Sequence, residues 1–321
     1  MLTNFENGLT SFGMPLLGGA IPFTFGNYYF VDASNGSDGN DGKTPSTAFK
    51  TIAKAYATVV TNHDDVIILT TNASHQLTEQ LTISKNRVHF VGDPWGRLYG
   101  QRAKINYADG IATALPFAVK NIGVGNTFHG IKFINNNTDA QVVGTVGEGG
   151  EYALYVNCEF YNSTNLDSDT VAELVLGGDS PQFINCTFGS LADAVSGDKV
   201  RPAVLIDGSV VTDGAGTTRD AYFHNCRFWK KAGGTATAMV KVAADADLER
   251  DCEFHDCQFV ANMLGATPAV AIALGANLTK GAIRLTGDTS GYDVTKLATG
   301  TGVISSLNAK VATATIGLQA T

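Results

Sequence analysis

A six-residue signature recurs five times through the middle of this chain, and it constrains the fold more than any other feature. It reads aromatic, any residue, Asn or an equivalent, Cys or an equivalent, any residue, Phe. The copies run from Phe128 to Phe133, Tyr155 to Phe160, Phe183 to Phe188, Phe223 to Phe228 and Phe254 to Phe259. They start 27, 28, 40 and 31 residues apart, in the range where a period marks stacked supersecondary units. Each unit therefore reads as one turn of a solenoid, with the signature at the same corner of every turn.

Side chains on a strand alternate between its two faces. The two aromatics of one copy can both face a core only if the chain switches parity between them. A one-residue bend does this, and it calls for a left-handed backbone, which Gly, Asn and Asp tolerate best. The bend positions hold Gly130, Asn157, Asn185, Asn225 and Asp256. Stacking the turns aligns Cys158, Cys186, Cys226 and Cys257 in one inner column, and Phe160, Phe188, Phe228 and Phe259 in another. Asn157, Asn185, Asn225 and Asp256 then form a structural ladder along the axis.

This pattern resembles the right-handed parallel β-helix of pectate lyase-like and phage tailspike-like proteins. The segment from Tyr28 through Asp32, Asp38, Asp41 and Pro45 to Ile52 is similar to the opening of many such proteins. There a first strand leads through a polar Gly/Asp turn into a short helix that plugs the open end. Here Phe49, Ile52, Ala53, Tyr56, Val59 and Val60 fall near helical spacing, with Ser46 or Thr47 as the cap after Pro45. The expected fold class is all-β: a single-stranded right-handed parallel β-helix solenoid over 27–262, with its capping helix at about 46–60. An extended apolar arm over 1–26 precedes it. Residues 263–321, where the repeat is lost, are expected to form a small C-terminal β cap or oligomerisation module. Among the earlier turns, residues 65–70, 81–83 and 88–92 read as strands. Residues 93–96 read as a turn and 212–218 as the tip of a surface loop.

Composition narrows the function. Gly is 36 of 321 residues, above the usual ~7%, as turn-rich β architecture requires. The net charge of −8, with no basic run, argues against nucleic-acid binding, which needs clustered Lys and Arg. No apolar stretch reaches the ~18–20 residues that span a bilayer, so no membrane partner is expected. Residues 1–26 contain Glu6 and no basic start before the apolar part, so a signal peptide is not expected and folding in a cytoplasm is. Five cysteines occur without a Cys-x-x-Cys pair. They read as buried thiols and not as a metal cluster.

The search for chemistry is less productive. Lyases of this fold need acidic Ca²⁺ ligands and a basic Arg or Lys on one outer face, and no such row is legible at coil spacing. A tailspike-type hydrolase needs two carboxylates. Acids on the solenoid include Glu159, Glu173, Asp207, Asp220, Asp245, Asp247 and Glu253. Asp245 and Asp247 share strand parity but read as a polar turn. Asp32, Asp38, Asn40 and Asp41 crowd oxygen ligands as a Ca²⁺ loop does, yet read as a turn held by Asx hydrogen bonds. His129, His224 and His255 precede the bend in three copies and read as exposed polar positions, with a metal stripe as the alternative. Trp229 reads as an outward contact residue. No catalytic residue, metal or cofactor is assigned.

The arm carries Phe5, Phe12, Met14, Leu16, Leu17, Phe23 and Phe25, too apolar for a solvated tail. It either packs along its own solenoid or docks on a partner. The opening from Thr3 to Pro15, with Gly26 to Asp32, resembles β-helical proteins of phage genomes associated with head genes. That resemblance implies a non-enzymatic virion structural protein, assembled in the host cytoplasm. It would decorate the capsid or attach to the head through the arm, with the major capsid protein or another virion protein as partner. A homo-oligomer, such as a trimer, is expected. The alternatives are a tailspike-like polysaccharide depolymerase, lyase or glycosidase, and a glycan-binding adhesin.

Overall fold

The computed structural model describes residues 10–11, 14–15 and 26–307, apart from 71–72, 93–102, 112–114, 164–167, 190–199, 212–215, 245–246, 262–265, 275–277, 279 and 299–301. Three parallel sheets of ten, eight and eight strands run along the molecule, and successive strands of the chain fall in different sheets. Each coil thus contributes one strand to each face of a parallel β-helix. Among the described residues the only helices longer than one 3₁₀ turn are Ile52–Thr58 and Gly208–Val211.

The register explains the signature. In the first sheet Phe90, Phe128, Tyr155, Phe183, Phe223, Phe254 and Leu285 pair in one column. In the second, Phe133, Phe160, Phe188, Phe228 and Phe259 do the same. Rings in each column stack at 4.5–5.3 Å between centroids, and the two columns meet edge to face at the corner. The third sheet adds Val119, Val146, Leu174, Val204, Val240 and Ile272 to the same core. These aliphatics carry no signature of their own.

The bend lies where the parity argument puts it. Gly130, Asn157, Asn185, Asn225 and Asp256 all have φ between 51° and 63°. Asn225 Nδ2 donates to Asn185 Oδ1 at 2.7 Å, one rung of a side-chain ladder. The cysteines following the bends are buried and free. Each thiol donates back to the carbonyl of the aromatic one coil earlier: Cys158 to Phe128, Cys186 to Tyr155, Cys226 to Phe183 and Cys257 to Phe223, at 3.2–3.5 Å. Burial pushes the Cys226 and Cys252 thiols far above their ordinary pKa.

Two expectations about the ends change. The helix is Ile52–Thr58, capped by Thr51, whose side chain accepts from Lys54 N–H. Pro45–Thr47 forms a separate 3₁₀ turn capped by Thr44. The run expected as one helix is broken because Phe49 bridges to Val31 and exchanges backbone hydrogen bonds with Phe30 and Asp32. Ile52, Ala55 and Val59 still face the core, and Val60 is exposed.

At the other end, the described strands of 263–321 extend the three ladders in register and do not form a separate module. Leu285 takes the aromatic position and Gly287, at φ 63°, the bend. One residue is inserted, and Thr289 then replaces the cysteine: its hydroxyl donates to Phe254 O at 2.9 Å. Leu, the insertion and Thr together hid this sixth copy. The arm residues Phe5, Phe12, Leu16, Leu17, Phe23 and Phe25, and the Met14 side chain, lie outside the described residues, as do 93–96 and 212–215. Of the arm, the antiparallel pair Thr10–Ser11 with Met14–Pro15 and the terminal Gly26 are described.

Candidate functional site

A second left-handed corner sits between the third sheet and the first. Its positions are Arg87, Gly125, Tyr152, Ser180 and Asp220, with φ from 48° to 68°. Arg, Tyr and Ser do not advertise that conformation, which costs a non-glycine residue roughly 1–2 kcal/mol, so the sequence reading missed this corner. The residue before each bend pairs with its neighbour one coil on, giving the row Val124, Glu151, Asp179, Arg219. Strand spacing sets adjacent members about 4.8 Å apart. Two acids and an arginine thus stand side by side on this corner.

Glycines floor this corner because successive coils touch. A Cβ on Gly150 would stand 2.2 Å from Gly123 O, and one on Gly178 would stand 2.2 Å from Gly150 O. The result is an open groove of about 210 Å³ lined by Gly149, Glu151, Gly177, Gly178, Asp179, Gly216, Thr217 and Arg219. Arg219 organises its far side. It reaches Asp179 Oδ2 at 3.3 Å and Glu249 Oε2 at 2.7 Å, and Thr217 also donates to Glu249. The Arg219 hydrogen bond, then that of Thr217, holds the Glu249 carboxyl below its ordinary pKa. Glu151 is exposed, and among the described residues its carboxylate has no hydrogen-bond or ion-pair partner. Tyr152, the next residue, is 61% exposed. One signal could have revealed the site: Gly150-Glu151 and Gly178-Asp179 recur 28 residues apart, in step with the aromatic signature.

The residues singled out from sequence go elsewhere. Asp32 Oδ1 accepts from the Ser34 and Asn35 amides, Asp38 from Lys50 and Thr51, and Asp41 from Lys43 and Thr47. Those carboxylates pin one turn. Asp247 is nearly buried, which pushes its carboxyl upward in pKa, and it accepts from Ala244 N–H. Asp245 lies outside the described residues. Glu159 pairs with Lys132, buried Glu173 with buried Arg201, and Asp220 with Arg250. Trp229 is half-buried on the outward face. His129 shares its column with His224 and His255, but Val156 and Ile184 stand between it and that adjacent pair.

The groove offers carboxylates, a guanidinium and a hydroxyl as hydrogen-bonding groups.

No family model and no curated protein matches this chain. Solved structures do. Pectate lyase Pel9A superposes with a TM-score of 0.58 at 15% identity, over 84% of this chain and 64% of the lyase. Pectin methylesterase PemA from Erwinia chrysanthemi gives 0.54 at 15% identity, over 92% of this chain and 93% of that one. The pectin methylesterase from Aspergillus niger gives 0.52 at 14%, over 88% and 84%. The chain thus spans less than two thirds of the pectate lyase's length. At these identities the likeness establishes architecture alone: the chain is a right-handed parallel β-helix solenoid.

Proposed function

We propose that this chain is a glycan-binding parallel β-helix, carried on a bacteriophage particle by its N-terminal segment. The observation that carries the binding role is the glycine-floored groove lined by Glu151, Asp179, Thr217 and Arg219, with exposed Tyr152 following Glu151 in the chain. Such polar groups match sugar hydroxyls, and an exposed ring offers an apolar face to a pyranose. Sharing a fold with polysaccharide-processing enzymes is compatible with this role, although fold alone does not imply function. The acids around Arg219 make the groove net acidic, so neutral glycans suit it better than polyuronates. The particle-bound role is supported by the resemblance of the opening segment to head-associated phage proteins. In this reading the β-helix is a rigid, non-enzymatic body, with a virion protein as anchor and copies of itself as neighbours.

Binding of the purified chain to a panel of neutral and acidic oligosaccharides tests the groove. Glu151→Gln, Tyr152→Ala and Arg219→Ala should each weaken binding to a neutral glycan by tenfold or more. Unchanged binding in all three variants sinks the assignment. Reducing ends released by the wild type and lost in Glu151→Gln would move the protein to the depolymerase class. For the anchor, deleting residues 1–26 should leave a folded β-helix that no longer co-purifies with virions. Retention of the truncated chain on particles removes the arm's role.

A further inference from the structure

We propose that His224, His255 and Asp256 form a binding site for a divalent transition ion of the Zn²⁺ type, clipping together adjacent coils near the C-terminal end of the solenoid. One ligand atom from each residue lies within 4.8 Å of the other two. His255 Nε2 is 3.4 Å, and His224 Nε2 4.0 Å, from Asp256 Oδ2. Ligands at about 2.0–2.1 Å from a tetrahedral ion stand roughly 3.3–3.4 Å apart. One pair already has that spacing, and the other closes with a small rotation of His224, which is 41% exposed.

What surrounds the three residues points the same way. Thr286 Oγ1 donates its proton to Glu253 Oε1 at 2.7 Å, so it can only accept from His255, whose Nδ1 lies 2.8 Å away. This relay places the proton of a neutral His255 on Nδ1 and leaves the Nε2 lone pair facing the carboxylate. A positive centre between Nε2 and Oδ2, a metal ion or a second ring proton, satisfies both atoms at their 3.4 Å separation. Metal-ligating histidines are usually oriented by such a second partner. Asp256 is held likewise: its Oδ1 accepts from the Asp288 amide at 2.7 Å, which leaves Oδ2 for the two imidazoles. Gly287 makes room for both, since a Cβ there would meet Asp256 Oδ1 at 2.1 Å and His255 Cε1 at 3.0 Å.

The donor set selects the ion. Imidazole with a carboxylate suits Zn²⁺, Co²⁺ or Ni²⁺, whereas Ca²⁺ and Mg²⁺ take oxygen ligands throughout. Three protein ligands leave a position for water. His224 comes from one coil, His255 and Asp256 from the next, and the groups orienting them from the coil after that. A bound ion therefore ties three coils where the aromatic column gives way to Leu285.

Titration of the full chain with Co²⁺, followed by visible absorption and then displacement with Zn²⁺, tests the site. One equivalent of Co²⁺ should develop ligand-field bands, and Zn²⁺ should abolish them. Binding should weaken at least tenfold in His224→Ala and in Asp256→Asn, both exposed positions whose variants should keep the wild-type circular dichroism. The thermal midpoint of the wild type, but not of His224→Ala, should rise with Zn²⁺. Absence of saturable Co²⁺ or Zn²⁺ binding overturns the proposal. Equal binding by wild type and both variants does so too, and would locate the ion at another of the six histidines.

Discussion

Replacing Phe223 by Ala is expected to destabilise the solenoid by about 3–5 kcal/mol, a large share of the ~5–15 kcal/mol that holds a typical domain folded. Phe223 is fully buried at mid-column. Its ring stacks on Phe183 at 4.7 Å and on Phe254 at 4.9 Å, and meets Phe188 and Phe228 edge to face. Its backbone is hydrogen-bonded into ladders on both sides, and its carbonyl accepts from the Cys257 thiol. The strands therefore cannot close over the void, and the loss should sit at the upper end for an aromatic-to-alanine change. Phe223→Leu should cost far less, because Leu285 occupies the equivalent position two coils on. Urea unfolding of the three proteins checks this. An Ala variant as stable as the Leu variant would refute the account of the column as the main source of cohesion.

The second large effect is a pH dependence centred on Glu148. This carboxyl is wholly inside the β-helix. Burial raises its pKa to about 7, against the opposing hydrogen bonds from Tyr155 Oη, Asn121 Nδ2 and Gly150 N–H. In the unfolded chain it titrates near 4.5. Between those values the folded protein holds a proton that the unfolded chain has lost. Stability from this group is thus fully present below about pH 4.5 and falls as pH rises to about 7. The total change is ~3 kcal/mol, from about 1.4 kcal/mol per pKa unit. Glu148→Gln retains the shape and removes the proton equilibrium. Its thermal midpoint, compared with wild type from pH 4.5 to 8, should gain on the wild type as pH rises. Parallel pH curves for the two proteins would show that Glu148 does not titrate in this window.

Tyr155 shows why that network was invisible in the sequence. It fills the aromatic position of its copy as any Phe would, and nothing nearby announces that its hydroxyl has a buried partner. That partner is on another sheet, and the same column holds Leu176 one coil later. The groove was hidden for a related reason. Its acids share a period with the signature, but the corner carrying them is turned by Tyr152 and Ser180, residues that rarely adopt left-handed backbone. The first corner was legible because Asn, Asp and Gly fill it in every copy. The helix cap was legible in its buried face, Ile52, Ala55 and Val59, but not in its start. A β-bridge at Phe49 overrode local helical preference.

The sequence by itself determined that this chain coils into a parallel solenoid. Buried aromatics on both sides of a left-handed bend, repeated at coil length, are local requirements that each copy meets from its own residues. The tertiary structure alone decided which polar residues work together. Asp179 with Arg219, Glu148 with Tyr155, and His224 with Asp256 meet only once register has stacked one coil on the next or folded one sheet against another. It also decided that the solenoid runs past residue 262, because Thr289 takes the cysteine's place through a hydrogen bond to Phe254 and not through any likeness of residue type. Hydrogen bonds and charge pairs depend on separation in space, which stacking sets, whereas turn conformation and burial parity depend on neighbours along the chain.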